Sequence, residues 1–299
     1  MNISELNQQF GQGTALRFTA DASGLVLAEI ENPLASARLC LQGAQLLSWR
    51  PRTSSIPVVW LSDAVRLTPG KSGHSGVPVC WPWFGNHATE SSWPAHGFAR
   101  TADWEVVSSR QDADGCTHLC LRLTTANRPE WPYSANLELT ISIGERLQLA
   151  LTTTNTGAVD FVITEAFHTY FQVGEVSQAR VTGLSGVTYA DKVQDYARST
   201  ASEDIHFDGE VDRVYLDTEA ACVIEDPVLR RRIHIQKSGS RSTVVWTPWQ
   251  EKGDKMGDLG TDGWSHFLCV ESANAMDNQV RVPAGQAHTL SVTYSAEPL

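Results

Sequence analysis

The alternation of apolar and polar residues near the middle of the chain is the feature that most restricts its fold. Leucine or isoleucine occupies every second position from 137 to 143 and again from 147 to 151, with Gly144-Glu145 between the two runs. A period of two places the apolar side chains on one face of an extended strand. Two such runs around a short turn predict an antiparallel hairpin in which each strand is half buried.

The same alternation recurs in short segments along the whole chain, and no long segment shows the 3.6-residue apolar period of an amphipathic helix. Further segments of this kind lie at 25–30, 37–41, 44–49, 58–61, 119–123, 233–235, 244–246, 267–270 and 290–294. Many short strands without helices predict an all-β fold, a large and mainly antiparallel β-sandwich. Because no linker or shift in composition divides the chain, we predict one domain over residues 1–299.

The charge and hydropathy of the chain argue against two classes of partner. Its 299 residues carry a formal net charge of −11, which is unfavourable for a nucleic-acid surface. No window approaches the roughly 20 consecutive apolar residues of a membrane-spanning helix, and Met1–Phe10 lacks the pattern of a signal peptide. We expect a cytoplasmic protein without a membrane partner, which at this size can work as a monomer.

The six cysteines do not form a metal-binding pattern that a strand could satisfy. Cys116, His118 and Cys120 share one face of a predicted strand, so the two thiols lie roughly 13 Å apart. Zinc binds thiolates at about 2.3 Å, which this spacing does not allow. We therefore predict no metal site, and a cytoplasmic protein is not expected to carry disulfides.

The segment 76–100 is the richest in candidate binding residues. It contains Gly-Val-Pro-Val-Cys-Trp-Pro-Trp-Phe-Gly at 76–85 and Ala-His-Gly-Phe-Ala-Arg at 95–100. The two prolines of the first block rule out a helix or a fully paired central strand. Its aromatic rings either pack in the core or face the apolar side of a sugar, for which Trp83 and Phe84 are the candidates. The second block adds an imidazole and a permanent cation, His96 and Arg100.

Two residues in other strand-like segments could carry acid–base chemistry. Glu271 follows the apolar run 267–270, where partial burial would raise its pKa toward neutrality and suit a general base. His168 lies among aromatic residues and, with an unperturbed pKa near about 6.5, could be the matching acid. For each residue taken singly, packing is the alternative interpretation. Together in one aromatic cleft, they would serve proton transfer to and from a sugar.

Other polar residues raise competing interpretations. A glycosidase needs two carboxylates around the scissile bond, but in a regular strand Glu165 and His168 point to opposite faces, so one cleft would not use both. The glycine-rich segment 250–263 has aspartates spaced too widely for an EF-hand, and we interpret it as a mobile surface loop. Arg230–Arg232 is interpreted as a solvated strand edge.

Five sequence blocks occur together in an order that characterises one enzyme family. They are the two blocks of 76–100, Phe-His-Thr-Tyr-Phe-Gln-Val-Gly at 167–174, Asp-Arg-Val-Tyr-Leu at 212–216 and Cys-Val-Glu at 269–271. Over most of its length the chain resembles the hexose-6-phosphate mutarotases, the glucose-6-phosphate 1-epimerases of the aldose 1-epimerase superfamily. The resemblance implies a galactose-mutarotase-like β-sandwich. It also implies an isomerase that interconverts the anomers of a hexose 6-phosphate, with D-glucose 6-phosphate expected, and that needs no cofactor.

The resemblance also implies roles for individual residues. His168 matches the family's catalytic acid and Glu271 its catalytic base. Arg100 and Asp212 match residues that contact the substrate, and His96 resembles a histidine of the sugar pocket. In this scheme Glu271 takes the proton of the C1 hydroxyl while His168 protonates the ring oxygen.

One position departs from the family pattern. Family members usually read Arg-Gly-Gly before Val-Pro, and that arginine is associated with the phosphate, whereas here the segment is Gly73-His-Ser-Gly76. His74 is therefore predicted to bind the substrate in the arginine's place, but an imidazole cannot form the bidentate fork of a guanidinium. Lys71 or Arg100 would have to compensate. The alternatives are a mutarotase for unphosphorylated aldohexoses and a non-catalytic carbohydrate-binding β-sandwich.

Overall fold

The computed structural model describes residues 1–299 and is built almost entirely of strands. In chain order the strands are β1 (Leu16–Ala20), β2 (Val26–Glu31), β3 (Ala35–Cys40), β4 (Gln45–Pro51), β5 (Val79–Cys80), β6 (Glu105–Gln111), β7 (Thr117–Thr125), β8 (Ala135–Ile143), β9 (Leu147–Asn155), β10 (Phe161–Ile163), β11 (Glu165–Phe167), β12 (Tyr170–Gln172), β13 (Arg180–Thr182), β14 (Thr188–Asp191), β15 (Ala197–Thr200), β16 (Ile205–His206), β17 (Val211–Tyr215), β18 (Cys222–Asp226), β19 (Arg231–Ser238), β20 (Ser242–Thr247), β21 (Phe267–Asn274), β22 (Val280–Val282) and β23 (Ala287–Pro298). The α-helices are α1 (Ile3–Phe10) and α2 (Trp249–Gly253), and short 3₁₀ turns include Ala99–Thr101 and Lys192–Gln194. Neither α-helix has the length and apolar character needed to traverse a bilayer.

Two large antiparallel sheets form the body of the molecule, which confirms the predicted all-β class. The first has nine strands in the order β16-β13-β18-β19-β23-β9-β8-β7-β6. The second has the order β15-β14-β17-β20-β21-β11-β5, with β12 also paired to β21. A four-stranded sheet, β1-β2-β3-β4, and the β10-β22 pair complete the fold.

The hairpin predicted from the alternating leucines is present as β8 and β9. Leu139 pairs with Leu151, and Ile143 pairs with Leu147 across the turn. These apolar side chains are buried while their polar neighbours remain partly exposed. The period of two in the sequence therefore corresponds to one face of the sheet turned toward the core.

The main core lies between the two large sheets. The ring of Phe171 on β12 contacts that of Tyr294 on β23 at 5.0 Å between centroids, and the Thr169 and Tyr294 hydroxyls are hydrogen-bonded at 2.7 Å. On β21, Leu268 and Val270 belong to this core. The alternate residues Cys269 and Glu271 therefore face the other side of the sheet, which loops cover.

The arginine triplet 230–232 is not a solvated edge, and that interpretation was wrong. Strand β19 lies between β18 and β23, so it is an interior strand. Arg231 is 6% exposed, and its guanidinium donates to the carbonyl oxygens of Ile56, Pro57 and Gln172. Three consecutive arginines suggested exposure to solvent. The carbonyl oxygens that allow Arg231 to be buried belong to segments distant in sequence.

The proline-containing block 76–85 crosses the edge of the second sheet, as its prolines predicted. Only β5 pairs regularly, with β11. Gly97 approaches this block closely, because the amides of Phe98 and Ala99 both donate to the Trp81 carbonyl. Gly97 has φ +72°, and a Cβ there would overlap the Trp81 carbonyl oxygen.

Replacing Gly97 with alanine should destabilise the fold strongly. Gly70 is the matched control, because it has φ +75° but open space where a Cβ would lie. We expect Gly97→Ala to lower the free energy of unfolding by about 3 kcal/mol or more, and Gly70→Ala by about 1 kcal/mol. Equal losses in urea unfolding would show that backbone conformation alone, and not the close approach to Trp81, requires glycine.

Candidate active site

Strand pairing brings His168 and Glu271 together on the loop-covered face of the second sheet. Strands β11 and β12 both pair with β21, with Phe167 opposite Ser272 and Tyr170 opposite Cys269. The same register places His168, in the break between β11 and β12, opposite Glu271. The His168 Nε2 atom lies 3.4 Å from Glu271 Oε1, a distance over which a small adjustment allows proton transfer.

The block 76–85 holds the backbone of His168 in this break. The His168 amide donates to the Pro78 carbonyl at 3.0 Å, and the Tyr170 amide donates to the Gly76 carbonyl at 2.9 Å. Gly76 has φ +70°, and a Cβ there would overlap the Leu46 carbonyl oxygen, so only glycine fits. The unusual block thus serves first to position the histidine.

Aromatic rings fix the orientation of the His168 imidazole. Its ring stacks on Tyr170, with centroids 5.0 Å apart and an interplanar angle of 14°. Trp246 and His96 meet it edge-on at 5.8 Å and 5.5 Å. An imidazole enclosed by three rings has little rotational freedom, which is the preorganisation that a proton-transfer group needs.

Burial acts in opposite directions on the two members of the pair. The Glu271 side chain is 1% exposed and that of His168 is 12% exposed. Burial raises the pKa of Glu271 well above its ordinary value. Burial, together with the positive charge of Arg100, lowers the pKa of His168 well below its ordinary value. Each shift disfavours the charged form, so an ionised Glu271 is a stronger base and a protonated His168 a stronger acid than in water.

Each member of the pair also has a buried polar atom with no partner. These atoms are Glu271 Oε2 and His168 Nδ1. Buried polar groups in folded proteins are almost always hydrogen-bonded, so two orphans in one cleft call for an explanation. A ligand with hydroxyl groups could satisfy the carboxylate oxygen, which marks this location as a candidate binding site.

His96 lies beside the pair as a neutral hydrogen-bond donor. Its Nδ1 accepts from the Gly85 amide at 3.3 Å, so Nε2 carries the proton of the neutral ring. Burial, together with the charges of Arg100 and Lys192, lowers the pKa of His96 to about 3. Its ring contacts Phe84 at 4.9 Å between centroids, so the structure brings both predicted residues to the cleft.

Asp212 reaches the same face from β17 and pairs with a lysine that the sequence did not single out. Asp212 is opposite Trp246, which is opposite Cys269, so all three share the face of Glu271. Lys192 Nζ lies 2.9 Å from Asp212 Oδ2. Burial lowers the pKa of Lys192, but the attraction of Asp212 outweighs it and the pKa is raised. A lysine in a polar loop gives no signal in sequence that it faces a cleft.

Arg100 is a cation near the pair whose charge no side chain offsets. It lies in the 3₁₀ turn Ala99–Thr101, and its positive charge helps to lower the pKa of both His168 and His96. Its guanidinium makes no ion pair, whereas Lys192 has Asp212. Arg100 is therefore the cleft cation most available to an anionic group.

His74 is held by an aspartate from the segment 250–263. Its Nδ1 lies 3.0 Å from both carboxylate oxygens of Asp258, and its amide donates to Asp258 at 2.9 Å. Burial raises the pKa of Asp258, but the His74 amide and ring outweigh it, so the pKa is lowered. The segment interpreted as a surface loop therefore contributes a residue that orients a predicted binding histidine.

Trp83 is placed away from the cleft. It is buried with Phe98 in the main core, its ring contacts His87 and Trp93, and its indole N–H donates to the Pro94 carbonyl at 3.0 Å. This placement leaves the indole no free polar group for a sugar. Packing, the other interpretation of the aromatic block, accounts for Trp83.

Glu165 lies on the opposite face from His168, as the strand period predicted. Its carboxylate is 2.8 Å from His288 Nε2 on the first sheet and accepts from Asn274 at 3.0 Å. This network links the two sheets. Glu165 therefore cannot serve as a second carboxylate beside Glu271 in the cleft. Glu165 and Glu271 do not form a glycosidase site.

Comparisons with known proteins agree with this geometry. The family model described as aldose 1-epimerase matches residues 27–295. The chain is 36% identical over 267 residues to an Escherichia coli K12 protein named "Putative glucose-6-phosphate 1-epimerase", with 88% of each chain covered. A Salmonella typhimurium protein with the same name is 34% identical, with 90% of each chain covered.

Solved structures show the same architecture. A structure titled as a "putative mutarotase" from Salmonella typhimurium superposes with a TM-score of 0.90 at 30% identity, covering 99% of both chains. A galactose mutarotase-like protein from Clostridium acetobutylicum has a TM-score of 0.73 at 12% identity, covering 95% of this chain and 98% of that one. The second likeness concerns the fold alone.

Proposed function

This chain belongs to the aldose 1-epimerase family, and we propose that its substrate within that family is a hexose 6-phosphate, with D-glucose 6-phosphate expected. Members of the family are isomerases that interconvert the α- and β-anomers of a sugar. The observation that carries the epimerase chemistry is the buried His168–Glu271 pair, 3.4 Å apart in an aromatic cleft. Its acid and base are suited to opening and closing a pyranose ring.

Each half of the reaction moves two protons. Glu271 takes the proton of the C1 hydroxyl while His168 gives a proton to the ring oxygen, so the bond between C1 and the ring oxygen breaks and C1 becomes an aldehyde. Rotation about the C1–C2 bond presents the other face of the carbonyl. His168 then removes the proton from the former ring oxygen as it attacks C1, and Glu271 returns its proton to the carbonyl oxygen. The enzyme ends in its starting state, with no cofactor in the scheme.

The neutral pair and the reactive pair differ by one proton transfer. Burial favours neutral His168 and protonated Glu271, whereas ring opening in this scheme starts from imidazolium and carboxylate. The two arrangements hold the same number of protons, and the 3.4 Å separation lets a proton pass from Glu271 to His168. The two pKa shifts raise the free-energy cost of this transfer, and the attraction between imidazolium and carboxylate at this separation offsets part of that cost.

Other residues of the cleft suit the remaining parts of a sugar. His96 can donate from Nε2 to a hydroxyl, and Asp212 can accept from one. The rings of Phe84 and Trp246 offer apolar faces for sugar C–H groups. These roles agree with the predicted contacts of His96, Asp212 and Phe84.

Preference for a phosphorylated sugar is supported by Arg100. Its charge is not offset, and a guanidinium suits a phosphate. The relatives named as glucose-6-phosphate 1-epimerases point the same way. A mutarotase for unphosphorylated aldohexoses is the second candidate, because His74 Nδ1 already binds Asp258 and is therefore less available to a phosphate.

Glu271→Gln should remove catalysis while substrate binding persists. The amide keeps the size of the carboxylate but cannot act as the base, so we expect turnover to fall by about 10²–10⁴-fold. Exchange NMR on equilibrated glucose 6-phosphate measures the turnover, and calorimetry measures binding. Exposed Glu251→Gln is the control, and unchanged turnover in Glu271→Gln would refute the assigned base.

The pH profile should show an acid limb below the ordinary imidazole range. The active pair carries one proton, so activity falls at low pH when the pair gains a second proton and at high pH when it loses the one it has. Because the pKa of His168 is lowered and that of Glu271 is raised, we expect the acid midpoint below about pH 6.5 and the alkaline midpoint above about pH 4.5. The rates require correction for the substrate phosphate, which titrates near pH 6. An acid midpoint at or above pH 7 would contradict this account.

Arg100→Ala should separate the two substrate classes. Loss of a charge-assisted hydrogen bond to phosphate would raise KM for glucose 6-phosphate by about 10- to 100-fold and leave free glucose and galactose unchanged. Exposed Arg66→Ala serves as the control. If the wild-type protein accelerates anomer exchange of only the free sugars, its substrates are the unphosphorylated aldohexoses of the second candidate. No acceleration of any of the three would favour a sugar-binding module without activity.

A further inference from the structure

We propose that Lys192 is a further substrate-contacting residue, which donates to one hydroxyl of a vicinal diol on the sugar while Asp212 accepts from the adjacent hydroxyl. This inference rests on the proposed function and extends it to the recognition of the sugar ring. It concerns the ring hydroxyls and not the phosphate, so it applies to both candidate substrate classes.

The position of Lys192 is the first observation in support. Its Nζ lies 2.9 Å from Asp212 Oδ2, with the lysine side chain 26% exposed and that of Asp212 13% exposed. The ammonium is also 6.0 Å from the centroid of the Phe84 ring. The ion pair thus lies on the sheet face that carries Glu271, and its lysine is more exposed than either member of the His168–Glu271 pair.

The unused hydrogen-bonding capacity of the pair is the second observation. An ammonium has three N–H donors, and Lys192 has no side-chain partner other than Asp212. Asp212 likewise has no side-chain partner other than Lys192, although a carboxylate can accept several hydrogen bonds. A donor and an acceptor that are both partly unused stand side by side in the cleft.

The local backbone fixes Lys192 in this place. The Val193 amide donates to Asp191 Oδ1 at 3.0 Å, and the Tyr196 amide donates to the Asp191 carbonyl at 2.8 Å. Arg213 also pairs with Asp191 at 3.1 Å. These contacts anchor the turn that carries Lys192, so little ordering of the backbone is needed when a ligand binds.

The chemistry of a vicinal diol matches this arrangement. Each hydroxyl is both a donor and an acceptor, so one can donate to Asp212 while its neighbour accepts from Lys192. The Phe84 ring beside the ammonium offers an apolar surface for the C–H face of the same ring.

The test compares Lys192→Met and Lys192→Arg on glucose 6-phosphate and on its 2-deoxy and 3-deoxy analogues by exchange NMR. Lys192→Met should raise KM for the parent sugar by about 10- to 100-fold, with a much smaller change in kcat. For the analogue that lacks the contacted hydroxyl, the same substitution should change KM less than about threefold, because the contact is already absent. Lys192→Arg, which keeps the charge, should recover part of the loss.

Exposed Lys255→Met is the matched control, because Lys255 also forms an ion pair, with Glu251, but on the surface. Thermal unfolding of every variant shows whether it folds. An equal loss of kcat/KM on the parent and both analogues would overturn the inference and indicate a structural ion pair, and so would no loss at all. If the wild-type protein accelerates only free glucose, the comparison is made with the free deoxy sugars. Inactivity of the wild type on every sugar would instead reject the proposed function, and the Lys192 contact with it.

Discussion

The register between β21 and the interrupted pair β11 and β12 is the constraint on which the site depends. It places His168 opposite Glu271, and the carbonyls of Gly76 and Pro78 hold the interruption open. A shift of one residue would turn Glu271 into the core between the sheets. The proline-containing block, the strand break and the close approach of Gly97 therefore all contribute to placing His168 opposite Glu271.

Burial of charged groups is the second theme of the cleft, and the protein handles it in two ways. At the centre, His168 and Glu271 lie together, and burial drives each toward its neutral form. At the rim, polar side chains are paired, Lys192 with Asp212 and His74 with Asp258. Burial at the centre makes the pair reactive, and pairing at the rim lets polar groups remain near it without a large desolvation cost.

Much of the fold could be predicted from local patterns, but the placement of single side chains could not. The alternating leucines of 137–151 predicted β8 and β9, because apolar residues at every second position lie on one face of an extended strand. The placements of Arg231 and Trp83 were harder to predict. A guanidinium is buried only when distant carbonyls receive it, as happens at β19, and a tryptophan faces the core or a ligand according to which loop covers it.

The all-β class, the short paired strands and the residue types able to transfer protons could be predicted from the sequence, because these follow from local periodicity, proline and side-chain chemistry. The tertiary structure alone decided which of those residues meet. His168 and Glu271, Asp212 and Lys192, and His74 and Asp258 come from different strands and loops, and their separations of 3.4, 2.9 and 3.0 Å depend on sheet order and register. Long-range pairing is a property of the whole packed chain, so no local pattern in the sequence records it.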